Sequence, residues 1–195
     1  MKYLKQFFPI LLLLVSTISL AQSNFTVEKM EMTIDGTSTL HDWTSVVTEV
    51  NIDGNIKYNN SLQGIENLKV SVPVTSIESS KGRIMDNKTY GALKSEEHPN
   101  ITYMLEQVNS IDQTGNEFTV RTQGQLTIAG TKKTIYMTFQ GKVLSNGKLQ
   151  FEGSYTLNMT DYNVDPPSAM LGTINTGEEV TVKFDIILEV SDMSN

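Results

Sequence analysis

Apolar residues recur at every second position through most of this chain, and few architectures accept that pattern. Val180, Val182, Phe184, Ile186, Leu188 and Val190 alternate without a break, with Thr181, Lys183, Asp185 and Glu189 among the residues between them. Leu149, Phe151, Gly153, Tyr155, Leu157 and Met159 repeat the pattern. Successive side chains of a strand point to opposite faces, so each run describes a strand with one dry face and one wet face.

Taken in order, the runs predict eight strands. Phe25, Val27, Met30, Met32 and Ile34 make the first, with a slip of phase near Glu28-Lys29 such as a bulge produces. Val46, Val50, Ile52, Ile56 and Tyr58 make a long second strand bent at Gly54, and Leu68, Val70, Val72 and Val74 a third. Alternation then stops from Glu78 to Pro99. Asp86 as N-cap and the spacing of Tyr90 and Leu93 predict a short helical insert around residues 84–95, closed by His98-Pro99. Strands resume at Ile101, Tyr103 and Leu105, at Phe118 to Ile128, and at Ile135, Met137 and Phe139. Ser145-Asn146-Gly147 marks a hairpin into Leu149, and a loop from Asp161 to Glu179 with Pro166-Pro167 precedes the last strand. Eight consecutive antiparallel strands with one apolar face close most simply into an all-β barrel, which removes exposed edges. Such a barrel is wide enough to fill itself with side chains or to hold one small ligand.

The first 21 residues do not belong to this pattern. Lys2 and Lys5 precede the apolar run Phe7–Leu20, and Ser19-Leu20-Ala21 supplies small residues for cleavage before Gln22. Residues 1–21 therefore read as a signal peptide and 22–195 as a single domain outside the cytoplasm, periplasmic or secreted. The apolar run is too short for a comfortable membrane span, and no other stretch predicts stable membrane insertion. The chain has no cysteine, which excludes disulfides, thiolate chemistry and a lipoprotein anchor together. Its net charge of −7, more negative once Lys2 and Lys5 are removed, makes nucleic acid an unsuitable partner. A homodimer is compatible with the sequence.

One stretch has catalytic-looking chemistry. Asp35-Gly36-Thr37-Ser38-Thr39-Leu40-His41-Asp42-Trp43 sets a hydroxyl, an imidazole and a carboxylate close together. On a strand, however, His41 and Asp42 face opposite sides, and no Gly-x-Ser-x-Gly elbow supports a nucleophile. The expectation is a hydrogen-bonded corner at Ser38 and Thr39, with Trp43 packed at a barrel end and His41 at the rim. His41 and His98, even with Glu96 and Glu97, lack the spacing of a metal site, and no metal or other cofactor is expected. Inside, Met85, Tyr90, Leu93, Phe118, Phe139, Phe151, Tyr155 and Phe184 form a mixed aliphatic and aromatic set. Spacing alone leaves two roles for them, filling a core or lining a cavity. The chain beyond residue 21 is rich in methionine, which suits a cavity for a flexible apolar ligand.

Several segments resemble the YceI-like proteins, the exported polyisoprenoid-binding family. Gly36–Trp43 (G-T-S-T-L-H-D-W) resembles that family's opening motif, and Val72–Ser79 (V-P-V-T-S-I-E-S) its third-strand segment. Asp86–Lys94 (D-N-K-T-Y-G-A-L-K) resembles its helical insert, His98–Tyr103 (H-P-N-I-T-Y) a strand entry, and Gly124–Lys133 (G-Q-L-T-I-A-G-T-K-K) a hairpin. The resemblance runs from Phe25 to Val190 and implies a lipocalin-like antiparallel barrel with an isoprenoid chain in its interior. The loop Asp161–Glu179 departs from the family pattern, which leaves head-group contacts there open. The expected function is non-catalytic binding, storage or transport of an isoprenoid-like or other long-chain lipid. Its contacts would be His41 and Trp43 at the rim, with the eight interior residues named above. An isomerase or cyclase acting inside the barrel, with His41 or a buried tyrosine as acid or base, is the alternative. An outer-membrane barrel is a third reading, but the aromatics here fall mid-strand rather than in girdles.

Overall fold

The computed structural model describes residues 23–169 and 174–191 of the 195-residue chain. The expected signal peptide lies outside the described residues. The strands are β1 (Phe25–Ser38), β2 (Trp43–Val47), β3 (Asn51–Tyr58), β4 (Leu62–Pro73), β5 (Ile77–Ser79), β6 (Asn100–Thr114), β7 (Glu117–Ile128), β8 (Thr131–Val143), β9 (Leu149–Asn158), β10 (Ser168–Ala169) and β11 (Ile174–Val190). One helix, α1 (Arg83–Ala92), follows β5. Ten strands join in one hydrogen-bonded path, β3-β4-β6-β7-β8-β9-β11-β1-β2-β5, with β10 against β11. All the pairings are antiparallel, and the sheet curls into a half-barrel.

Ten strands replace the expected eight because two of the expected ones are interrupted. The long second strand parts into β2 and β3 at Thr48–Val50, where Thr48 N donates to Ser76 O at 2.9 Å and Ser76 Oγ donates to Glu49 O at 3.1 Å. The third strand starts at Leu62 and turns through a 3-10 segment, Val74–Ser76, into the short β5. β11 begins at Ile174, so the loop expected to run to Glu179 is partly strand. The bulge in β1 falls between Val27 and Lys29, and the bend at Gly54 coincides with a register shift in the β3–β4 ladder.

Helix α1 differs from its expected start. Gly82 is the N-cap residue and provides no side-chain cap. Asp86 lies inside the first turn, where its buried carboxylate accepts from Ser79 N at 2.7 Å. It ties the helix to β5 instead of capping it.

The interior is filled at one end. Leu62, Phe118, Val120, Leu149 and Val190 pack there, in one cluster with Phe25, Ile56, Ile65, Phe151 and Leu188, which also border the hollow above. Aromatic rings are accommodated by glycines set opposite them in the sheet. A Cβ on Gly153 would lie 2.5 Å from Phe184 Cζ, and one on Gly36 would lie 2.3 Å from Trp43 Cζ2. A glycine inside a strand pattern marks such close approaches.

Candidate functional site

Above the filled end the half-barrel encloses an apolar cavity of about 1240 Å³. Its floor is a chain of edge-to-face rings. Phe139 meets Phe151 at 6.0 Å and Phe184 at 6.2 Å between centroids, at interplanar angles of 65° and 68°. Met32, Ile34, Val70, Val72, Ile101, Leu126, Ile135, Met137 and Val182 supply walls, and Met85, Thr89 and Ala92 of α1, with Leu93 just after it, cover the other end. The mouth runs past Leu40–Trp43, Ser79–Lys81 and Pro167-Ser168. His41, Asp42, Glu78 and Lys81 are the charged or titratable lining residues apart from the tyrosines, and all four are exposed at the mouth.

The Gly36–Trp43 stretch forms a corner between β1 and β2. Ser38 Oγ donates to His41 O at 2.7 Å and accepts from the N–H groups of Leu40 and His41, each at 3.3 Å. Thr39 N donates to Asn175 O at 3.0 Å, and Trp43 Nε1 donates to Thr37 O at 3.0 Å. His41 and Asp42 lie in this loop, so the strand-face argument for separating them does not apply. What separates them is that His41 Nδ1 meets the backbone oxygen of Asp42, at 2.8 Å. The hydroxyl of Ser38 is occupied by the turn. This constellation has the contacts of a loop staple and lacks those of a nucleophile with its base.

Of the ten expected contact residues, His41 and Trp43 line the mouth, and Met85, Leu93, Phe139, Phe151, Tyr155 and Phe184 line the cavity. Two do not. Phe118 is 2 % exposed and sits beneath the floor, its ring 5.3 Å from that of Phe151. Tyr90 turns away from the interior because its hydroxyl donates to Thr75 O at 2.9 Å. Met32, Ile34, Tyr103 and Met137 line the cavity without having been singled out, although each belongs to an alternating run. Tyr162 had no such signal, because it comes from the loop after β9.

Three tyrosines are among the polar points of the interior wall. Tyr103 is 7 % exposed, and its hydroxyl donates to Thr122 Oγ1 at 3.3 Å. Burial pushes its phenol pKa up, against the lowering effect of that bond. Tyr155 and Tyr162 are likewise raised, first by burial, Tyr162 to about 12. Tyr162 is placed by a 3-10 turn, Met159–Tyr162, capped by Asn158 Oδ1, which accepts from Thr160 N at 2.9 Å. Among the described residues no three of His, Cys, Asp or Glu converge as a metal site requires. Nor is any described helix long and apolar enough to cross a membrane.

A curled antiparallel sheet around a hollow, apolar interior defines a container-type half-barrel. The chain belongs to the YceI-like family, whose domain model matches residues 16–188. Solved structures share the fold. BcnA of Burkholderia cenocepacia is 18% identical with a TM-score of 0.60, covering 81% of this chain and 95% of its own. A polyisoprenoid binding domain from Saccharophagus degradans, implicated in plant cell wall breakdown, is 11% identical with a TM-score of 0.64, covering 86% of this chain and 98% of its own. The YceI protein of Campylobacter jejuni is 15% identical with a TM-score of 0.57, covering 73% and 82% respectively. No curated protein sequence matches the chain.

Proposed function

We propose that this chain binds, stores or carries an isoprenoid-like or other long-chain lipid in its apolar cavity, outside the cytoplasm and without catalysis. The cavity carries the reading. At about 1240 Å³ it exceeds the ~300–1,000 Å³ of ordinary small-molecule pockets, and its charged lining is confined to the mouth. Burial of about ten methylene-sized groups at ~0.8 kcal/mol each contributes roughly 8 kcal/mol, corresponding to about micromolar binding before entropic costs. A charged contact is therefore not required for affinity. The polyisoprenoid binding domain of Saccharophagus degradans, which has the same fold, supports the ligand class.

The half-barrel would close around this ligand as eight staves. The β2–β5 ladder (Ser45↔Ser79, Val47↔Ile77) and the β3–β4 ladder (Asn51↔Ser71, Ile52↔Val70) follow one another along the same two chain segments. Counting β2 with β3 and β4 with β5 leaves eight members, a size that holds one ligand. The α1 region and the loop beyond Asp161 are the gates in this reading, and the basic-then-apolar start of the sequence supports export. Native mass spectrometry and lipid extraction of protein purified gently from its host should reveal a bound apolar lipid. Protein that is ligand-free and also refuses a fluorescent prenyl probe would overturn the proposal.

A further inference from the structure

The wall of the cavity is discontinuous at one seam. β8 and β9 pair only from Phe139↔Gly153 to Val143↔Leu149. Beyond Gly153, β9 continues against β11 as far as Asn158↔Glu179, while the first part of β8 pairs with β7 alone. The 3-10 turn Met159–Tyr162 bridges this gap at its far end, where Lys133 Nζ meets Asp161 Oδ1 at 3.1 Å and Asn163 Nδ2 donates to Thr131 Oγ1 at 2.9 Å. Tyr155 lies on the diverging stretch of β9 and Tyr162 on the bridging turn, so the two phenols meet the cavity from adjacent parts of the seam.

Their hydrogen bonding is incomplete. Neither hydroxyl has a partner among the described residues, although Tyr162 is only 2 % exposed. No described side-chain polar atom is sealed without a partner, so both hydroxyls open onto free space, and both residues line the cavity. A phenol open to a cavity in this way is left to water or to a ligand group to accept its hydrogen. Tyr103, by contrast, spends its hydroxyl on Thr122.

We propose that Tyr155 and Tyr162 form a paired hydrogen-bond-donor subsite for a neutral oxygen group of the lipid, such as a carbonyl or ether oxygen, and that the preferred ligand carries no phosphate or carboxylate at that depth. The proposal rests on the lipid-carrier reading and adds the chemistry of the polar group. Both phenols remain protonated donors well above neutral pH, because burial raises each of them. Among the described residues, an anionic group would find no free cation there. Lys133, whose ammonium stands 5.9 Å from the Tyr162 ring centroid, is already paired with Asp161, and Lys81 is at the mouth. Moving a phosphate among apolar walls without a counter-charge costs far more than two phenol hydrogen bonds return.

The test compares three ligands of one prenyl chain length, a hydrocarbon, a methyl ketone and a monophosphate, by displacement of a fluorescent prenyl probe. On the unaltered protein the ketone should bind about tenfold more tightly than the hydrocarbon, and the phosphate no more tightly than the hydrocarbon. The double variant Tyr155→Phe/Tyr162→Phe, its fold checked by thermal melting, should lose the ketone's advantage over the hydrocarbon. Equal binding of hydrocarbon and ketone would overturn the subsite, as would an advantage that survives in the double variant. A phosphate that binds tightest, or a double variant that also loses the hydrocarbon, would overturn it too. If no prenyl compound binds the unaltered protein, the carrier reading itself falls and the subsite falls with it.

Discussion

Gly36 and Trp43 face each other across the β1–β2 ladder, and the indole lies where a side chain on Gly36 would project. Gly36→Ala therefore places a methyl group 2.3 Å from Trp43 Cζ2 and must displace the ring or the strand. Overpacking of this kind costs about 1–3 kcal/mol. Denaturant unfolding should register that loss, and Trp43, the single tryptophan, should report the displaced ring by its fluorescence. At this scale the sequence shows which residues are unusual but not what occupies them. His41, Asp42 and Ser38 are adjacent on paper, yet Ser38 is consumed by the turn and His41 meets a backbone oxygen.

At the scale of elements, β1 and β3 approach each other with no ladder between them, since β1 pairs with β11 and β2 and β3 pairs with β4. Asn24, just before β1, substitutes for the missing strand pairing. Its Nδ2 donates to Ile56 O and its Oδ1 accepts from Ile56 N, each at 2.9 Å, so a side-chain amide occupies the position of a neighbouring peptide. Its own backbone oxygen accepts from Ser191 N at 2.8 Å, which joins the start of β1, the end of β11 and β3. Asn24→Ala leaves both polar groups of Ile56, itself 3 % exposed, without those partners. The expected cost is about 1–3 kcal/mol. Amide hydrogen exchange should speed up at Ile56 more than in β7, which is paired on both sides.

At the scale of the whole molecule, charged groups on or beside the described strands have shifted pKa values, and stability should respond to pH at both extremes. Hydrogen bonds from Lys183 and Thr44 hold the Asp35 carboxyl below its ordinary value, and Gln125 and Gln123 do the same for Glu106. For Asp185, burial acts in the opposite direction but is outweighed by hydrogen bonds from Lys29 and Gln150. Groups lowered on folding contribute stability above their unfolded pKa, and that contribution is lost as pH falls through the folded values, here below about pH 4. The raised groups act at the other end. Tyr103, Tyr155 and Tyr162 resist ionisation through burial, and hydrogen bonds to Asp185 and Glu28 raise Lys29 and Lys148 respectively. Their contribution holds below the unfolded values and is lost as pH climbs from about 10. A thermal melting series should therefore be flat between these limits and fall at both ends. Asp35→Asn should flatten the acid limb.

The sequence by itself determined the all-β class, the inward-facing residues of most strands, the bulge near Lys29 and the corner at Gly36–Trp43. Period-two burial and turn chemistry are local properties, and they are written where they act. It did not determine the strand count, because the breaks at Thr48–Val50 and at Val74–Ser76 depend on bonds between segments far apart in the chain. Nor could it separate Phe118, which plugs the filled end, from Phe139 and Phe184, which floor the cavity, since all three obey the same alternation. Only the curvature of the sheet decides how far along a strand the interior stops being packed and becomes hollow. Tyr162 reached the cavity wall by the same route. Its loop carries no periodicity, and only the divergence of β9 from β8 brings it to the seam beside Tyr155.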